Sequence, residues 1–149
     1  MKIVVGCDEA ALFMKNSIKE MLINKGYEVT DFGVFNEKPS LYPNIAFAVA
    51  ESISRGEYER GMLFCGTGIG MAICANKVPG IRAAVCHDPF STERSRKSND
   101  AQILTMGSRV IGIELAKYLV TLWLNCDFAG GGSTAKVEAI KKYESMVLK

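Results

Sequence analysis

The stretch Lys2-Ile3-Val4-Val5-Gly6-Cys7-Asp8-Glu9 is an apolar run that stops abruptly on two acids. Phe13, Ile18, Met21 and Leu22 then recur at three-to-four spacing as far as Gly26, the pattern of an amphipathic helix ended by glycine. The order is strand, loop, helix. The same unit returns four times: Tyr27 to Asp31 with Asn44 to Ser54, Gly61 to Cys65 with Ile69 to Asn76, Ile81 to Cys86 with Phe90 to Ser98, and Ile103 to Met106 with Gly112 to Leu124. Strands apolar on both sides, separated by helix-length segments, belong to a parallel sheet whose crossover helices cover both faces. The expected fold is α/β, a Rossmann-like doubly wound five-stranded parallel sheet. Ser133 to Val147 adds an extra C-terminal helix after the Gly130-Gly131-Gly132 break, and a helix on so flexible a joint suits packing on a partner subunit.

At 149 residues the chain has the size of one domain, 1–149, and no linker or repeat divides it. Hydrophobic residues at 48%, charged residues at 23% and a net charge of +2 describe a globular protein and give no reason to expect a nucleic-acid partner. No apolar run approaches the roughly 20 residues that cross a bilayer, and the N-terminal run is too short for a signal peptide. A soluble, cytoplasmic protein without membrane contact is expected. The five cysteines, Cys7, Cys65, Cys74, Cys86 and Cys126, form no CxxC pair and no zinc spacing with His87, the only histidine. They read as reduced thiols, with no metal site.

Ligands of open α/β sheets bind beyond the carboxyl ends of the strands. Those ends carry Cys7-Asp8-Glu9, Cys65 to Gly70, Cys86-His87-Asp88 and Gly107-Ser108-Arg109. The turn Cys65-Gly66-Thr67-Gly68-Ile69-Gly70 leaves backbone N–H groups and the start of a helix free to face an anion. It lacks the spacing of a dinucleotide fingerprint and the Lys-Ser/Thr of a P-loop. A thiol at the mouth of such a cradle is stabilised as thiolate and serves as base or nucleophile; a buried cysteine that merely ends a strand is the plainer alternative. A cysteine phosphatase needs arginine six residues after the thiol, where Met71 stands, and a cysteine hydrolase needs a histidine with an orienting partner. Proton transfer, with backbone donors holding an enediolate oxygen, fits with fewer parts.

Gly6-Cys7-Asp8, Tyr42-Pro43, the Cys65 to Gly70 turn, Ala75 to Ala84 (Ala-Asn-Lys-Val-Pro-Gly-Ile-Arg-Ala-Ala), Ser98-Asn99-Asp100-Ala101 and Gly107-Ser108-Arg109-Val110-Ile111-Gly112 lie along nearly the whole chain. In order and spacing this set resembles the type B ribose-5-phosphate isomerase family, which includes galactose-6-phosphate isomerase. The resemblance implies a homodimer or dimer of dimers with active sites shared between subunits, a small phosphorylated sugar as substrate, and no metal or organic cofactor. It implies that Cys65 moves the proton between C1 and C2, that Thr67 and the backbone of Gly66, Gly68, Ile69 and Gly70 hold the enediolate, and that Asp8 binds sugar hydroxyls. Asn99 would reach the site from the partner, and Arg109 would bind phosphate.

Four positions depart from that pattern. Glu9 and Ser98 stand where the family usually has histidine, and Gly132 where it has arginine; Lys136 replaces a further phosphate-binding arginine. The Ser98 position normally carries the ring-opening histidine. An aldopentose 5-phosphate closes a furanose ring through O4, whereas an aldotetrose 4-phosphate has O4 esterified and needs no ring opener. His87 to Arg94 with Ser98 to Gln102 also resembles the D-erythrulose-4-phosphate isomerases of the family. A tetrose phosphate is therefore favoured, with ribose 5-phosphate as the alternative. His87 either contacts substrate as a replacement acid-base group or caps the following helix. Glu9 suits hydroxyls or a cation rather than phosphate. A receiver-like signalling domain shares the architecture and an acidic pair like Asp8-Glu9, but Cys65 and Met106-Gly107 occupy the places of its aspartate and lysine.

Overall fold

Alternation along the strands sorts the core into two halves. In β1 (Lys2–Cys7), β3 (Arg60–Cys65) and β5 (Ile103–Gly107), the side chains of Ile3, Val5, Cys7, Met62, Phe64, Leu104 and Met106 leave one face, and those of Val4, Leu63, Cys65 and Ile103 leave the other. The first set meets Ile18 and Leu22 of α1 (Leu12–Asn24) and Leu119 and Trp123 of α5 (Ile113–Leu124). The second meets Val49, Ala50 and Ile53 of α2 (Tyr42–Ser54) and Met71, Cys74 and Ala75 of α3 (Ile69–Ala75). This computed structural model describes residues 1–147.

With β2 (Glu28–Asp31) and β4 (Ala83–Val85), the sheet is parallel throughout and ordered β2-β1-β3-β5-β4. It is the doubly wound five-stranded sheet expected, completed by α4 (Pro89–Lys97) and the C-terminal α6 (Thr134–Val147). The winding reverses at β1, so a crevice opens between the carboxyl ends of β1 and β3. No helix among the described residues is long and apolar enough to cross a membrane.

Most boundaries fall within one residue of the sequence pattern, and two starts differ by two residues. The helix α2 begins at Tyr42 rather than Asn44, because Pro43 is tolerated in a first turn where N–H groups have no intrahelical acceptor anyway. The edge strand β4 starts at Ala83 rather than Ile81, because the Asn76 side chain takes both backbone groups of Ala83, each at 2.8 Å. That amide covers part of an otherwise open edge. At the opposite edge, fully buried Lys15 of α1 pairs with Asp31 of β2 at 2.8 Å, and Lys19 meets the other carboxylate oxygen at 2.7 Å.

Candidate active site

The turn after β3 is built by close contacts that only glycine permits. Gly68 has φ of +77°, and a Cβ there would lie 2.9 Å from the carbonyl carbon of Met106. This left-handed residue folds the chain back, so that its N–H donates to Sγ of Cys65 at 3.0 Å while its carbonyl accepts the Thr105 hydroxyl at 2.8 Å. A backbone donor thus points at the sulfur. Thr67 Oγ1 accepts the Ile69 N–H at 3.2 Å. The next N–H groups, at the start of α3, have no intrahelical acceptor and remain for an anion.

The floor of the turn is the end of β5. The N–H groups of Ser108 and Arg109 donate to the carbonyls of Cys65 and Gly66 at 2.9 and 3.1 Å. Across the turn, Tyr42 lies against Gly70, where a Cβ would meet its Oη at 2.6 Å. The Arg109 side chain passes over Gly66, its Nη1 3.5 Å from the position of a Cβ there.

The acidic pair sits beside this turn. Asp8 caps the following 3-10 turn by accepting the Ala10 N–H at 3.0 Å, and its own N–H bonds the Phe64 carbonyl at 3.1 Å. Burial, then the like charge of Glu9, pushes the Asp8 carboxyl above its ordinary range, against the pull of Arg109. Glu9 accepts both the hydroxyl and the N–H of Ser40, at 2.6 and 3.2 Å, and the Ser40 hydroxyl holds it below the usual carboxylate range. Glu9 thus fastens the loop after β2 across the mouth of the crevice. A cavity of about 350 Å³ opens beside the pair, with Phe13, Ser108, Arg109, Ile111 and Ile113 in its wall.

All five cysteines are free and buried. Burial pushes Cys7 up to about 11 and raises Cys74 and Cys86, as befits inert core thiols. Among the described residues no group of three His, Cys, Asp or Glu side chains is arranged to hold a metal ion.

The expected site residues fall into two groups. Asp8, Glu9, the Cys65 to Gly70 turn, His87 and Arg109 gather at the carboxyl end of the sheet. Asn99 and Lys136 do not join them. Asn99 follows α4, before β5, and its carbonyl accepts Nε of Arg82 just ahead of β4, at the amino end of the sheet. Lys136 lies on α6, which is tied to the same end through the Gly80 N–H and Glu144 at 2.8 Å. His87 is engaged as well: its Nε2 accepts the Gly107 N–H at 2.8 Å. Sequence reasoning gave Tyr42 and Ser40 no role. The Tyr42-Pro43 pair was the available signal for the first, and nothing local pointed to the second.

Fold and site together define a doubly wound α/β domain with a thiol-headed anion cradle at the carboxyl edge of its sheet. The chain belongs to the ribose/galactose isomerase family, whose model matches residues 3–140. It is 51% identical over 146 residues to the D-erythrulose-4-phosphate isomerase of Pectobacterium atrosepticum, covering 97% of this chain and 95% of that one. It is 52% identical over 144 residues to a ribose-5-P isomerase B of Listeria innocua, covering 97% of each. The structure of Clostridium thermocellum ribose-5-phosphate isomerase B superposes with a TM-score of 0.96 at 44% identity, covering 98% of this chain and 99% of that one.

Proposed function

We propose that this protein interconverts an aldose phosphate and a ketose phosphate, with Cys65 as the base and a tetrose 4-phosphate as the preferred substrate. The observation that carries the reading is the Gly68 N–H on Cys65 Sγ at 3.0 Å, within the glycine turn at the carboxyl end of the sheet. The thiolate takes the proton from C2 of the aldose. The C–H electron pair becomes the C1–C2 double bond, and the carbonyl oxygen becomes the enediolate oxygen. The thiol then returns its proton to C1, and the hydroxyl proton passes from O2 to O1. Thr67 and the turn's N–H groups hold the oxygen, each such donor being worth about 3 kcal/mol. Asp8 orients hydroxyls and Arg109 faces the phosphate.

Two observations favour four carbons. Ser98 accepts Nε of Arg94 at 2.9 Å, so the residue at the ring-opener position is a hydroxyl held within its own chain. The sole imidazole, His87, spends Nε2 on Gly107. Ring opening therefore lacks the histidine that the family resemblance would place there, and the tetrose needs none. Ribose 5-phosphate remains the second reading, supported by the near-equal likeness to relatives named for either sugar.

The distance between the two groups of residues supports a homodimer, alone or paired as a dimer of dimers, in which Asn99 and Lys136 complete the site of the partner. Apolar side chains at Ile69 and Ile73 of α3, and at Ile140, Tyr143 and Met146 of α6, are left exposed for such contacts. Free thiols throughout suit a cytoplasmic enzyme.

Proton NMR progress curves on erythrose, erythrulose, ribose and ribulose phosphates test the reading. Ribose 5-phosphate consumed much faster than either tetrose sinks the four-carbon preference. A Cys65→Ala variant that keeps near-normal turnover removes Cys65 as the base.

A further inference from the structure

The ladder between β4 and β5 ends soon after the Val85–Thr105 pair, with one more bond from the Cys86 N–H to the Thr105 carbonyl at 3.2 Å. The next bond to β5 comes from a side chain: His87 Nε2 accepts the Gly107 N–H at 2.8 Å. A backbone N–H only donates, so Nε2 carries its lone pair and the ring proton resides on Nδ1. A protonated ring would set one N–H against another.

The bond falls where a small shift matters. Gly107 is the register partner of Cys65, and a Cβ on it would lie 2.6 Å from Cα of Thr67. Ser108 and Arg109 follow directly and bond the carbonyls of Cys65 and Gly66. Movement of Gly107 is therefore transmitted to Cys65, Thr67 and Arg109 together.

We propose that His87 is a positioning residue: its neutral imidazole, acting through the Gly107 N–H, holds the Cys65 turn in register, and protonation of the ring releases it. The proposal rests on the isomerase reading above. Burial disfavours the imidazolium and outweighs the opposing pull of Asp88, the charged group acting on the ring among the described residues. Asp88 caps α4 by accepting the Ser91 N–H at 2.8 Å and stays ionised, while β5 faces the ring with the Gly107 backbone. The ring is thus neutral at pH 7 and the strut intact; it is lost as pH falls through the lowered histidine value.

The chain has one histidine, so ¹⁵N-labelled protein gives a single set of imidazole signals. The unaltered protein is expected to show an Nδ1–H ring with a midpoint below about 6.5, the ordinary histidine value, and a Gly107 amide that moves with it. An Nε2–H ring, or a Gly107 amide indifferent to the titration, overturns the proposal. His87→Gln keeps an acceptor that does not titrate; kcat at pH 7 should stay within about twofold, and the component of its acid limb at the NMR midpoint should vanish. His87→Ala should lower kcat on the order of tenfold with KM nearly unchanged. A glutamine variant as slow as the alanine one makes the imidazole itself a chemical participant. An alanine variant at full rate removes the strut, and a glutamine variant with the original acid limb removes its release by protonation; each result refutes the proposal. Should the unaltered protein turn over none of the sugar phosphates, the isomerase reading fails, and the NMR result still decides whether the strut exists.

Discussion

Replacing Gly107 with alanine adds one methyl group where the surrounding atoms are all backbone. The Cβ would lie 2.6 Å from Cα and 2.7 Å from the carbonyl carbon of Thr67, and 2.8 Å from the carbonyl oxygen of Gly66. Ordinary contact begins near 3.4 Å, so something must yield by about 0.8 Å. The strand β5 is poorly placed to do so, being paired on both sides with Ile103, Leu104 and Met106 fully buried. The glycine turn moves instead, and Cys65 and Thr67 move with it. A misplacement near 1 Å at reacting groups costs about a hundredfold in rate. Overpacking of this kind costs about 1–3 kcal/mol, which for a domain of this size lowers the thermal midpoint by roughly 2–10 °C. The assay is kcat on the best sugar phosphate, beside calorimetric unfolding. Gly112→Ala is the control, since no atom lies within 4 Å of its Cβ position, and it should stay within about twofold of the unaltered rate. A folded Gly107→Ala enzyme retaining a third of the normal kcat would falsify the claim that this contact sets the geometry of the turn.

The acidic residues give two further tests. Asp8 has its carboxyl raised by burial, so ionisation in the folded state works against stability; Asp8→Asn should abolish turnover while raising the thermal midpoint at pH 7 and leaving it unchanged below pH 3.5, and a lower midpoint at pH 7 contradicts the assignment. Asp31 is pushed upward by burial, yet its bonds to Lys15 and Lys19 prevail and hold it below the ordinary range, so its contribution is complete above the unfolded carboxylate value and disappears as pH falls through the folded one. Asp31→Asn strands fully buried Lys15 and should cost on the order of 3–5 kcal/mol in urea unfolding; a loss under 1 kcal/mol rejects the pair as a structural tie. If sites are shared, mixing inactive Cys65→Ala with Lys136→Glu through unfolding and refolding should return about one quarter of the unaltered sites, because each mixed dimer regains one intact site. No gain over the separate variants argues that each chain carries its own complete site.

The architecture was legible because two-sided strands leave little ambiguity: Ile3, Val4 and Val5, or Met62, Leu63 and Phe64, have no polar face, and buried parallel strands need helices above and below. Edges were less legible. Residues Ile81 and Arg82 look as strand-like as Ala83 and Ala84, and only the tertiary position of Asn76, seven residues before Ala83, decides where β4 begins. The Cys65 turn was visible because its features are local, with a thiol, glycines and a helix start within six residues. The tie between Glu9 and Ser40 and the strut from His87 to Gly107 were not, since they join residues 31 and 20 positions apart, through two hydrogen bonds and one respectively, and leave no periodic trace.

The family resemblance placed Lys136 in one site with Cys65 and had Asn99 reach that site from the partner; within a chain both lie at the opposite end of the sheet from Cys65. A parallel strand followed by its helix returns the chain to the end from which it started, so the residue after α4 must lie below β5 while the residue after β3 lies above it. No rearrangement short of unfolding α4 brings Asn99 to Cys65 in one subunit. Only a second copy, inverted relative to the first, sets the amino end of one sheet against the carboxyl end of another. On this reading the exposed faces of α3 and α6 have a catalytic consequence: they determine whether the anion cradle at Cys65 meets a cation from outside its own chain. Arg109 then has a specific task. Two carboxylates, Asp8 and Glu9, stand near enough to draw on its charge. On the shared-site proposal the phosphate would compete with them, and Lys136 of a second copy would supply the added positive charge.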